Sequence, residues 1–379
     1  MANIIVLGCG MVGSVMARDL ATVHNVTAVD LNKHSLKKVQ EFNQDIKTQV
    51  VDLTDADAVV DIIIDGDLVL NAVPGFMGFE LLKTVLSCKK NIVDISFFAE
   101  NPSDLDYLAK QNDVYAFVDC GVAPGMSNVI LGHYNEQMTI NKYECLVGGL
   151  PVKRKWPFEY KAPFSPIDVI EEYTRPARYI ENSQLITREP LSDVELINID
   201  KVGTLECFNT DGLRSLIESM PSIPNMKEKT LRYPGHAEYI QVLAASGFFS
   251  EEPIEVNGVP INPREFSSNL LIDNWKLKRN EREFTVMRII IEGEQNGKSK
   301  RFTYNLYDET DLDNEMSSMA RTTGFTATAA INFLLENKPD VTSGVYAPEH
   351  LGSLTGAYDY FINYLKDRNV QYKKEETTL

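Results

Sequence analysis

Glycines 8, 10 and 13, in Gly8-Cys9-Gly10-Met11-Val12-Gly13, give the spacing G-x-G-x-x-G close to the start of the chain. That spacing suits a pyrophosphate. The first glycine permits a tight turn, the second lets backbone approach the phosphates, and the third lets the next helix lie against its strand. The N–H groups of Met11, Val12 and Gly13 would then open a helix whose N-terminus attracts an anion. Asp30 ends the following β-branched run, where a carboxylate accepts bonds from ribose hydroxyls and repels a 2′-phosphate. NAD is therefore the expected cofactor rather than NADP, with Lys33 the neighbour of opposite tendency. Asp52-Leu53 is placed for the adenine side, and Asn71-Ala72-Val73 for the nicotinamide-side phosphate and ribose. Both rest on the rule that ligands of open α/β sheets bind beyond the carboxyl ends of strands. Ordinary strand-ending turns account for them equally well.

Redox chemistry with such a cofactor also needs a group to move the substrate proton and groups to hold the substrate. Asp94 (in VDISFF) and Asp119 (in VDCGVAPG) fall at strand ends. Asp94 is placed to act as a base or to pair with a substrate ammonium, and Asp119 to contact the substrate; loop capping is the alternative for each. Arg214 and Arg232 are the best carboxylate clamps, because a guanidinium is a two-pronged match to a carboxylate; an internal ion pair is the competing account. His236, in Arg-Tyr-Pro-Gly-His-Ala-Glu, is suited to proton transfer near neutrality or to a structural place at a helix start. The Lys153-Arg154-Lys155-Trp156 cluster reads as a rim or surface loop. Arg321 is a candidate for the cofactor crevice, with a buried ion pair as the rival reading.

These residues need elements to hold them. Short β-branched runs at 3–7, 26–30, 48–53, 68–73, 91–96 and 115–119 alternate with helix-compatible stretches at 11–23, 35–42, 56–63, 79–87 and 103–111. Continuous apolar strands alternating with helices predict a parallel sheet covered on both faces, a doubly wound Rossmann-type domain over 1–125. From 126 to 316 the texture changes to longer strand candidates, more aromatics and most of the prolines, which predicts an inserted α+β domain with an open antiparallel sheet. Residues 317–379 read as C-terminal helices returning to the first domain, ending in a short strand and a charged frayed tail.

The 379 residues carry a formal charge of −17, with 44% hydrophobic and 24% charged residues. This is globular composition, large enough for two domains, and disfavours a nucleic-acid partner. No apolar run reaches the roughly 20 residues of a spanning helix, so no membrane partner is expected. Five scattered cysteines and five histidines without ligand spacing predict reduced thiols, a cytoplasmic setting and no metal. The acidic run at 308–315 has the wrong spacing for a calcium loop.

The strings GCGMVGSVMARDL, DCGVAPGMSNVILGH, VGGLPVKRKWPFEYKAPFS, ECFNTDGLRSL, TLRYPGHAEYI, SMARTTGFTATAAINFL and GVYAPE, in this order, resemble the saccharopine dehydrogenase and lysine 6-dehydrogenase family. The resemblance implies that 126–316 is the substrate and dimerisation domain, and it implies NAD(P)-dependent oxidation at the CH–NH group of lysine or an N-substituted, saccharopine-like lysine, followed by imine hydrolysis. Arg214 in NTDGLR is similar to the saccharopine-like form, which sets free lysine in doubt. Two other readings stand beside this one: a non-catalytic NAD(H)-binding sensor or scaffold, and a reductive C–N bond-forming enzyme of polyamine metabolism. A small-molecule amino-acid substrate and a homodimer are the expected partners.

Overall fold

Runs such as Asn-Ile-Ile-Val-Leu have no polar face to offer water, so they pack as strands buried on both sides. A computed structural model describes residues 1–163, 166–278 and 281–379. The chain divides into two units, one of Met1–Met138 with Met319–Tyr372, the other of Thr139–Ser318 with Lys373–Leu379.

In the first unit, strands β1 (Asn3–Leu7), β2 (Asn25–Asp30), β3 (Lys47–Val50), β4 (Leu68–Asn71), β5 (Ile92–Asp94) and β6 (Tyr115–Phe117) join a late strand, Gly344–Tyr346. The sheet order is Gly344–Tyr346, β6, β5, β4, β1, β2, β3, and every pair is parallel. The order reverses between β1 and β4, which makes their carboxyl ends the ligand crevice of a doubly wound fold. Helices Met11–Leu20, Lys33–Phe42, Ala56–Ile63 and Gly75–Ser87 alternate with the strands. One face is sealed by a core that includes Leu7, Val29, Ile63, Leu82, Val85 and Ile92.

Helix Ser318–Asn337 returns to this unit as expected. A Cβ on its Gly324 would lie 3.0 Å from Met16 Cγ. Asp19, on helix Met11–Leu20, accepts bonds from Thr328 Oγ1 (2.5 Å), Tyr364 Oη (2.7 Å) and Arg368 Nε (2.7 Å). Arg321 donates to the Arg368 carbonyl at 3.0 Å, within this C-terminal packing.

The domain limits differ from the sequence reading at both ends. Helix Met126–Asn135 belongs to the first unit, because it crosses helix Pro348–Ser353 backbone to backbone. A Cβ on Gly132 would stand 2.0 Å from the Glu349 carbonyl oxygen, and one on Gly352 would stand 2.1 Å from that of Val129. The 373–379 tail is not frayed: strand Tyr372–Thr378 extends the second unit's sheet.

The second unit contains β7 (Thr139–Pro151), β8 (Ala177–Glu181), β9 (Gln184–Arg188), β10 (Glu195–Ile199), β11 (Gly203–Asn209), β12 (Met226–Arg232), β13 (Ile254–Val256), β14 (Val259–Ile261), β15 (Glu283–Gln295) and β16 (Lys298–Glu309). Its large sheet runs β10, β11, β12, β7, β15, β16 and the last strand. The expected antiparallel sheet is in fact mixed, since β12 pairs β7 in parallel. Register places Glu206 opposite Arg232 and Phe208 opposite Thr230, all on one face. Tyr160, Tyr173, Ile240, Leu271 and Trp275 pack in one cluster with Phe208 on that side. The other face is apolar, built on Leu146, Leu150, Leu205, Leu231, Phe284 and Val286.

Candidate active site

The glycine loop has the geometry its spacing predicts. Gly8 sits at φ +92°, and a Cβ there would press to 2.7 Å from the Ala72 carbonyl oxygen. A Cβ on Gly13 would stand 2.0 Å from the Gly8 oxygen, whereas one on Gly10 would meet nothing within 4 Å. Two of the three glycines thus close the loop against its neighbours, and the third leaves a space. No side chain caps helix Met11–Leu20, so the first-turn N–H groups of Met11, Val12 and Gly13 have no side-chain cap in place of an intrahelical partner. The Asp30 carboxylate is held by the N–H of Cys9 (2.6 Å) and of Asn32 (2.7 Å), half-buried at the end of β2. Each of its oxygens keeps a further lone pair for a ribose hydroxyl. This set of residues fits a dinucleotide. Asp52 and Leu53 lie beyond the end of β3; exposed Asp52 is tied to Thr54, which lowers its pKa, and the Leu53 side chain belongs to the core.

Asn71 and Asp94 occupy adjacent strand ends and are fully buried. Asn71 Nδ2 donates to Asp94 Oδ2 at 2.9 Å, and the Ser96 N–H donates to Oδ1 at 2.6 Å. Burial pushes the Asp94 carboxyl up to about 7; the Ser96 and Asn71 bonds pull it down, and nearby Asp119 adds to the rise. Asp119 is also buried and takes a left-handed backbone, φ +57°. A carboxyl poised near neutrality is what proton transfer at physiological pH requires.

In the second unit the structure separates residues that the sequence set side by side. Arg232 is buried. It donates from Nε to Tyr173 Oη (3.1 Å), from Nη1 to the Leu231 carbonyl (3.0 Å) and from Nη2 to Glu172 (2.9 Å), with Tyr160 4.4 Å across its face. This is the internal ion pair that competed with the clamp. His236 is buried as well, with Nδ1 2.9 Å from the Phe158 carbonyl and Nε2 2.9 Å from Tyr173 Oη. A carbonyl only accepts, so Nδ1 carries the proton and Tyr173 donates to Nε2. Burial, followed by the charge of Arg232, pushes His236 down to about 3. Its two nitrogens are thus engaged inside the protein and the ring stays neutral, which corrects the expectation of proton transfer near neutrality. Arg214 is half-buried with φ +46°, past the turn in which Asp211 binds Arg178 through two 2.8 Å bonds.

Three residues of this network were not singled out by the sequence reading. Glu206 caps helix His236–Ala245 by accepting from the N–H of Gly235 (2.7 Å) and Ala237 (2.6 Å). Tyr173 bridges Arg232 and His236, and buried Glu228 lies under the 210–214 turn. Only the strings containing Glu206 pointed at any of them. The Lys153–Trp156 cluster is a surface loop: Arg154 and Lys155 pair with Glu159 and Glu281, and Trp156 is exposed. Phe164 and Ser165, which end one of the strings, lie outside the described residues. Among the described residues no group of three His, Cys, Asp or Glu could hold a metal, and no helix is long and apolar enough to cross a membrane. None of the five cysteines forms a disulfide.

Residues 4–117 match the family model described as the saccharopine dehydrogenase NADP binding domain, and residues 121–370 the model of the saccharopine dehydrogenase C-terminal domain. The chain belongs to the saccharopine dehydrogenase family. The family comprises oxidoreductases acting on CH–NH donors, and residues 4–117 of the first unit are its NAD(P)-binding domain. Carboxyaminopropylagmatine dehydrogenase of Synechocystis is 23% identical over 336 residues, 82% of each chain. Alpha-aminoadipic semialdehyde synthase of Arabidopsis thaliana is 25% identical over 62% of this chain, which spans only 23% of that longer protein. The saccharopine dehydrogenase (L-Glu forming) structure from Saccharomyces cerevisiae superposes with a TM-score of 0.79 at 19% identity, covering both chains in full, and shows the same fold.

Proposed function

We propose that this protein is an NAD-dependent oxidoreductase acting on the CH–NH group of an N-substituted, lysine-like amino acid, with hydrolysis of the imine completing the reaction. The observation that carries the reading is the buried Asp94 carboxyl, set near neutrality at the strand end beside Asn71. A nicotinamide cofactor held there would supply a hydride acceptor for the substrate carbon that bears the nitrogen. Gly8, Gly10, Met11, Val12, Gly13 and Asp30 would hold the dinucleotide, with Asn71-Ala72-Val73 alongside. Asp94 takes the proton from the substrate nitrogen, and Asp119 holds the Asp94 pKa up and offers charge to an ammonium. Arg214 supplies the carboxylate contact, while Arg232 and His236 stiffen the second unit through Tyr173. Mixing the protein with NAD and saccharopine, lysine or N-carboxyalkyl diamines, and following absorbance of reduced nicotinamide, tests the reading. Turnover of an N-carboxyalkyl amine is expected; absence of turnover on all of them overturns it and favours a non-catalytic sensor.

The relative from Synechocystis, matched over most of both chains, supports a second reading in which the amine is a polyamine precursor. The same assay separates the two by which amine gives the higher kcat/KM. Homodimerisation and a cytoplasmic setting belong to either reading, supported by exposed Tyr239, Val242, Phe266 and Leu270 and by thiols that form no disulfide.

Two substitutions test the assignments of binding residues. Asp30→Arg removes the carboxylate that would repel a 2′-phosphate, so the ratio of NADP to NAD in kcat/KM should rise at least about tenfold. Arg214→Ala should raise the substrate KM by about tenfold or more, the worth of a charge-assisted bond, with the KM for NAD within about twofold.

A further inference from the structure

Gly212 lies in the string Asn209-Thr210-Asp211-Gly212-Leu213-Arg214 with no left-handed backbone to explain a glycine. What excludes a side chain there is Glu228. A Cβ on Gly212 would stand 2.1 Å from Glu228 Oε2 and 2.2 Å from its Cδ. Glu228 is buried, and Thr210 Oγ1 donates to the same Oε2 at 2.7 Å while standing 3.0 Å from Thr230 Oγ1. The carboxyl is therefore wedged against the backbone that leads into Arg214 and is held from both ends of the turn's first half.

We propose that Glu228 is a positioning residue for substrate recognition, seating the 210–214 turn and so setting where the Arg214 guanidinium meets a substrate carboxylate. This rests on the reading that Arg214 binds substrate. The charged and titratable groups facing Glu228 are Glu172 from helix Pro166–Thr174, Asp211 from the turn, Arg232 from its own strand and, by register on β7, Cys145. Arg232 is paired to Glu172, and Asp211 to Arg178. Among the described residues no Lys or Arg forms an ion pair with Glu228. Burial, and then the carboxylates of Glu172 and Asp211, push Glu228 up to about 8, against the pull of the Thr210 bond and of Arg232. At neutral pH the seat is a neutral acid. Above that range it becomes a carboxylate facing two others, and the turn is driven off its position.

The full chain, assayed with NAD and the amine it turns over best, tests this. The ratio of wild-type to Glu228→Gln substrate KM should stay near one at pH 7 and reach about tenfold at pH 9.5, since the amide keeps the shape of the neutral acid. Taking this ratio cancels titration of the substrate itself. Glu228→Asp, one methylene short of Gly212, should raise the substrate KM about tenfold at pH 7, with kcat and the KM for NAD within about twofold. Equal KM values for wild type and Glu228→Gln across the pH range, or an unchanged KM in Glu228→Asp, would overturn the role of Glu228 while leaving the functional reading intact. If wild type turns over none of the amines, the functional reading falls and this role falls with it. Circular dichroism melts of both variants confirm that the fold is retained.

Discussion

Asp94→Asn is expected to lower kcat by at least about a hundredfold, with substrate KM changed by less than about threefold. The amide keeps the shape of the carboxyl and one acceptor oxygen, but it cannot take a proton. In the direction of amine oxidation the ionised form is the working one, so wild-type kcat/KM should rise with pH and level off above about 7, the value to which burial pushes this group. The variant should lose that rise. Stability gives a second readout, with a definite sign. A carboxyl raised from its ordinary 3.8 holds its proton longer in the native state than in the unfolded chain. Its favourable contribution is complete below about pH 4 and is lost as pH climbs through 7. The wild-type melting temperature should therefore fall across that window, and the fall should be shallower in Asp94→Asn. Equal kcat in the two proteins would remove Asp94 from the chemistry.

Gly13→Val should abolish dinucleotide binding and destabilise the protein by about 3 kcal/mol, the scale of an overpacked core. The first added carbon alone would lie 2.0 Å from the Gly8 carbonyl oxygen, which is backbone and cannot swing aside, and 3.3 Å from Ala72 Cβ. The helix must move away from its strand, and the loop loses its shape. Gly10→Ala provides the contrast. Nothing lies within 4 Å of its Cβ, so the protein should melt within about 1 °C of wild type. The added methyl stands in the space left for the pyrophosphate, however, so affinity for NADH, read by fluorescence, should drop about tenfold or more. Loss of melting temperature in Gly10→Ala, or full NADH affinity in Gly13→Val, would contradict the division of labour between the glycines.

The contrast between the two units shows which features were legible from residues alone. Strand, glycine loop, helix and Asp30 follow one another within about thirty residues, and their physics is local: φ at Gly8, close packing at Gly13, a carboxylate at a strand end. The alternation of apolar runs and helices likewise implied the parallel sheet, because strands buried on both faces have one pattern. The packing of helix Met126–Asn135 with the first unit is not legible locally, since it depends on Gly132 meeting residues more than 200 positions later. The mixed pairing of β12 with β7 left no mark in either strand.

By itself the sequence determined a dinucleotide cradle, an inserted α+β unit and a short set of candidate acids and arginines. Tertiary structure decided which of them is available for chemistry. His236 and Arg232 lie four residues apart in a string that reads as catalytic, yet Tyr173, Glu172 and the Phe158 carbonyl, from distant segments, engage both. Asp94 owes its near-neutral carboxyl to burial among Asn71, Ser96 and Asp119, and Glu228 owes its raised one to burial first and then to Glu172 and Asp211 on other elements. Residue type and spacing set what a group can do. Desolvation and the charges brought around it by long-range packing set its protonation state and its partners, and no local pattern encodes those.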